Sequence, residues 1–269
     1  MSSPAYKGGS QQTGLWLLIT FATAVAFFTV VFFSIHWRVE DVYGDWVFAA
    51  PLATLIGGIA LGALVTARRN RERIQRVAAR LEGDGFQVNA RLAEAERTEF
   101  AAPLAHLFPS LGLHRGATGI RWCAVQRAGG MRFFEHMYTT GSGRTLNEHF
   151  HTVIAWPAGH PDLGSTGLAT APWLFMAQYH RLLRKDVRKR ELQAPEFADV
   201  AVRWSLIGDA ATAARFLQPA VRARLENSPK QETWCLGAGF VCCLYKGVVD
   251  APQLEPFLAH ARSTLAAAS

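Results

Sequence analysis

Two apolar stretches, residues 15–35 and 46–67, contain no charged side chain, and the second ends abruptly at Arg68-Arg69. About 20 helical residues at 1.5 Å rise span a hydrocarbon core of roughly 30 Å, so each stretch has the length of a transmembrane helix. A cleaved signal peptide fits the first stretch poorly. Only Lys7 precedes it, and its apolar run exceeds the h-region of about 7–15 residues. An uncleaved anchor is expected.

The distribution of cations orients these spans. The connector, residues 36–45, carries Arg38 against Glu40, Asp41 and Asp45. The flank after the second span carries Arg68, Arg69, Arg71, Arg73, Arg76 and Arg80. The positive-inside rule places that flank in the cytoplasm, which gives a two-helix transmembrane hairpin with both termini inside. Trp16, Trp37, Tyr43 and Trp46 fall near the span ends, where amphipathic rings favour the interface. Gly58-x-x-x-Gly62 and Ala22-x-x-x-Ala26 offer small-residue faces for packing the spans on each other. A homodimer through Gly58 and Gly62 is the sharper version of the same pattern.

The expected organisation is therefore a cytosolic tail over residues 1–13, a hairpin over 14–67, a basic juxtamembrane linker helix over 68–85 and a cytosolic domain over 86–269. The formal charge of +7 is concentrated beside the membrane exit and in residues 181–190. Anionic lipid is the nearer polyanion, so the lipid bilayer is the expected partner and nucleic acid is not. Cys123, Cys235, Cys242 and Cys243 lack C-x-x-C spacing and read as buried free thiols of a reducing compartment.

Within the domain, Gly83-Asp84-Gly85 breaks the linker helix. Residues 89–107 have a helical pattern: Leu92, Phe100, Leu104 and Leu107 form an apolar stripe, with Glu94, Glu96 and Glu99 elsewhere. The period then changes. Residues 120–125, 131–140 and 146–156 read as a three-stranded antiparallel meander, with turns at Gly129-Gly130 and Gly141-Ser142-Gly143. A Gly/Pro-rich loop over 157–172 and a basic amphipathic helix over 173–191 follow. Next come a strand over 197–207, a helix over 209–227 kinked at Pro219, two strands over 232–236 and 240–245, and a last helix over 251–267. This order predicts an α+β fold, a mainly antiparallel sheet with helices packed on one face.

The strings Tyr138-Thr139-Thr140-Gly141-Ser142-Gly143-Arg144 and His149-x-His151-Thr152-Val153 lie in the meander. Further along are Pro195-Glu196-Phe197, Leu206-x-Gly208-Asp209 and Phe216-Leu217-x-Pro219. Together they resemble an uncharacterised group of bacterial membrane-anchored proteins that pair N-terminal spans with a cytosolic α+β domain. The likeness covers roughly residues 85–265. It implies architecture and a bacterial inner-membrane location, and it brings no activity, cofactor or active-site residue.

Candidate chemistry centres on the second hairpin of the meander. A turn centred near Ser142 pairs His136 with His149 in one register, or His136 with Glu148 and Glu135 with His149 in the other. His151 shares a face with His149. Three histidines plus Glu135 or Glu148 form a candidate zinc or acid–base site, against which stands a plain polar sheet face. Gly141-Ser142-Gly143 lacks the spacing of a phosphate loop or a nucleophile elbow. The lipid-headgroup candidates are Arg68, Arg69, Arg71 and Arg73 at the membrane exit, and Arg181, Arg184, Lys185 and Arg188 on the basic helix.

No recognisable catalytic constellation accompanies this anchored domain, and no cofactor is expected. The leading expectation is an interaction module for a lipid surface or for another membrane or cytosolic protein. The alternatives are a membrane-tethered metal-dependent enzyme at the His/Glu cluster and a membrane-anchored small-ligand sensor.

Overall fold

The longest element is α1, Trp46–Gly83, a helix of 38 residues. Its segment Leu52–Gly83 is long and apolar enough to cross a membrane, with a mean hydropathy of 1.3 over its most apolar window. Leu52, Ile56, Ile59, Leu61 and Leu64 are between 50% and 67% exposed. Apolar surface left in water forgoes about 25 cal/mol per Å², so a helix with such a belt calls for apolar surroundings. Residues 24–29 and 31–32 of the first apolar stretch are also helical, and Val25, Phe28 and Phe32 are exposed. The rest of that stretch and the connector lie outside the described residues. Among the described residues one helix, rather than a complete hairpin, meets the requirement for crossing.

This computed structural model describes residues 24–29, 31–32, 46–89, 92–104, 119–140, 147–158, 166–170, 195–201, 204–207, 210–228, 232–237 and 239–268. The chain divides into two units, Lys7–Arg76 and the domain that begins at Val77. Within the domain, Val77 and Leu81 of α1 are fully buried, and Arg80 Nη2 lies 2.5 Å from Glu255 Oε2. The helix ends at Gly83, and Gly85, at φ +82°, turns the chain into the sheet.

Among the described residues eight strands make one sheet: β1 Phe86–Asn89, β2 Gly119–Gln126, β3 Arg132–Thr140, β4 Asn147–Pro157, β5 Thr166–Thr170, β6 Trp204–Ile207, β7 Glu232–Gly237 and β8 Phe240–Lys246. Their order is β1-β2-β3-β4-β8-β7-β5-β6. Every neighbouring pair runs antiparallel. The helices are α2 Glu94–Ala101, α3 Ala198–Ala201, α4 Ala210–Phe216, α5 Pro219–Glu226 and α6 Ala251–Ala268. The fold is α+β, an antiparallel sheet with packed helices.

Helices cover both faces of this sheet, where the sequence pattern predicts one. Phe134, Val153, Cys235, Cys242 and Leu244 form a core with Phe100 of α2 and Leu104 of the following 3-10 turn. Phe100 meets Phe134 edge-on at 5.7 Å. On the opposite face Phe257 of α6 lies 5.9 Å from Tyr245, and Phe216 of α4 lies 5.8 Å from Trp234. The reason is visible in β7, buried at every position, and in β8, buried at all but its ends. Such continuous apolar runs need cover on two sides.

The meander and the C-terminal hairpin fall where the periodicity predicts. Four segments differ. Phe86–Asn89 forms β1, so Asn89 is extended rather than opening a helix, and Thr166–Thr170 forms β5 within the expected loop. Residues 197–201 of the expected strand are helical, the end of the 3-10 turn Pro195–Phe197 and the helix Ala198–Ala201, because Phe197 and Val200 bury at i, i+3 spacing. The kinked helix is two helices, with Pro219 at the first turn of α5, where its missing N–H costs nothing. The expected basic helix over 173–191 lies outside the described residues.

Candidate functional site

The second hairpin of the meander pairs in a register different from either expected one. Thr140 faces Asn147, so six residues connect β3 to β4 and the axis shifts beyond Ser142. The apolar pairs Phe133–Ile154 and Phe134–Val153, each buried on its own face, set this register, because a one-residue slip would exchange the two faces. His136 consequently stands opposite His151, and His149 opposite Tyr138. Glu135 is opposite Thr152 and Glu148 opposite Thr139. Alternation therefore puts the three histidines on one face and Glu135 on the other.

The histidine face is largely dry. The His136 and His151 rings stack with centroids 6.3 Å apart. Burial pushes His136 down to about 4. Burial again, then His136, Lys246 and His149, holds His151 well below the ordinary imidazole range. His149 is lowered by partial burial and by Lys246. These imidazoles are neutral at neutral pH, the form a metal requires. Glu135 cannot join them: its buried carboxylate lies on the far face, 3.9 Å from Arg121 Nη1. Among the described residues no group of three or more His, Cys, Asp or Glu side chains is placed to hold a metal ion.

A second polar cluster has no signal in the sequence. Ser228 Oγ lies 2.9 Å from His260 Nε2, and Glu232 Oε2 lies 3.1 Å from the same nitrogen. Its members follow α5, open β7 and sit on α6, so only the folded chain brings them together. A nucleophilic triad needs the acid on one ring nitrogen and the serine on the other. Here one nitrogen serves both. The cluster ties α6 to the sheet and has no relay geometry.

Beyond the apolar belt of α1, Arg68, Arg69 and Arg71 are exposed, and Arg68 Nε pairs with Glu72 at 3.0 Å. Arg73 is buried and donates to Asn70 Oδ1 from Nε and Nη2 at 3.3 and 3.0 Å. Gly62 is buried, Gly58 half-buried and Ala26 exposed. Ala22, Arg181, Arg184, Lys185 and Arg188 lie outside the described residues.

The thiols are buried as expected. Burial pushes Cys235 up to about 12, and Cys242 and Cys243 well above the thiol range. Cys123 rises to about 11, by burial first and then by the charge of Glu96. Glu96 is exposed on α2, away from the buried Phe100, as the stripe assignment expects. Around it lies a cleft of ≈490 Å³ between α2, β1 and β2.

No protein-family model and no curated protein matches the chain. Among solved structures it is similar to the crystal structure of the mycobacterial trehalose monomycolate transport factor A, TtfA, with 11% identity and a TM-score of 0.42 over 72% of this chain and 92% of that one. A likeness of this degree supports no argument about activity.

Proposed function

We propose that the chain is an integral protein of a bacterial inner membrane whose α+β domain is an interaction module displayed at the cytoplasmic lipid surface. The observation that carries this is the sequence of surfaces along α1. An outward apolar belt from Leu52 to Leu64 is followed, on the same helix, by exposed Arg68, Arg69 and Arg71. A helix with that order matches hydrocarbon first and anionic headgroups next, at about 1 kcal/mol per cation near the surface. In this reading residues 15–35 form the other arm of a hairpin, packed on Gly58 and Gly62, and both termini are cytoplasmic. The domain then meets a protein or lipid partner close to the leaflet. A metal-dependent enzyme at the histidine face is the less favoured alternative, since Glu135 lies on the other side of the sheet.

Labelling with a membrane-impermeant maleimide tests the topology in bacterial spheroplasts, against a quiet background of buried native thiols. Gly44→Cys in the connector should label from outside. Glu82→Cys, beyond the arginine run, should label only after permeabilisation. The opposite pattern, or labelling of both from outside, rejects the hairpin.

A further inference from the structure

We draw no further inference here: the strongest candidate, the side-chain cluster of Ser228, Glu232 and His260 where the end of α5, the start of β7 and α6 meet, belongs to the polar tie already described, and its 2.9 Å Ser228 contact takes the imidazole nitrogen that a metal or ligand would need.

Discussion

His136 and His151 face each other across β3 and β4 with ring centroids 6.3 Å apart and planes 15° from parallel. Two imidazoles thus enter a dry sheet face in their uncharged form, and each would oppose protonation of the other.

Stability should therefore fall with acid. An unfolded histidine titrates near 6.5, whereas His136 in the fold is held at about 4 by burial and His151 well below its ordinary value. Below pH 6.5 the unfolded chain binds protons that the folded chain refuses. The stabilisation is complete above 6.5 and is lost progressively as pH falls through about 4, amounting to about 3 kcal/mol for His136 alone. Urea midpoints between pH 7.5 and 4.5 should decline in the native chain and decline less steeply in His136→Gln. Equal slopes would contradict the buried neutral pair.

The end of α1 offers a contrast between packing and charge. Leu81 is fully buried in the domain, whereas both partners of the Arg80–Glu255 pair are more than half exposed. Leu81→Ala should cost about 2–5 kcal/mol through lost contacts and a residual cavity. Glu255→Gln should leave the melting temperature essentially unchanged, because water and side-chain entropy offset an exposed pair. Thermal melts of the two variants decide the matter, and a larger loss in Glu255→Gln would reverse it.

Much of the architecture is legible in local pattern. Alternation and the glycine pairs mark β2, β3, β4, β7 and β8, and Gly129 and Gly130 adopt the positive φ that a tight turn demands. β5 is invisible because Thr166–Thr170 carries no apolar alternation, and its extended state comes from pairing with β6 and β7, both distant in sequence. The histidine pairing escaped for a related reason. It depends on the length of the connection between Thr140 and Asn147, which a Gly-Ser-Gly string does not reveal.

The four thiols should be inert while the chain is folded. Only the thiolate attacks, and burial holds Cys123 at about 11 and Cys235 at about 12 and keeps Cys242 and Cys243 well above the ordinary thiol range. At pH 8 a disulfide reagent should titrate none of them in the native protein and all four after denaturation. Rapid native labelling of the facing pair Cys235 and Cys242 would indicate a core that opens far more often than this packing allows.

Arg132 tests whether shape or charge holds the edge of the core. Its guanidinium is layered between Phe100 and Phe240 at 4.8 and 4.4 Å while Nη2 reaches Glu99, so one plane meets two rings and a carboxylate together. A lysine keeps the charge but presents a hydrated point with no plane to stack. The cation–ring contribution is about 0.5–2 kcal/mol per contact, larger when water is excluded, and this side chain is only 16% exposed. Arg132→Lys should therefore lose about 1–3 kcal/mol by urea titration. Glu99→Gln removes only the exposed carboxylate charge and should have little effect. Equal losses in the two variants would assign the stabilisation to the ion pair, and a neutral Arg132→Lys would show that the rings contribute nothing beyond burial.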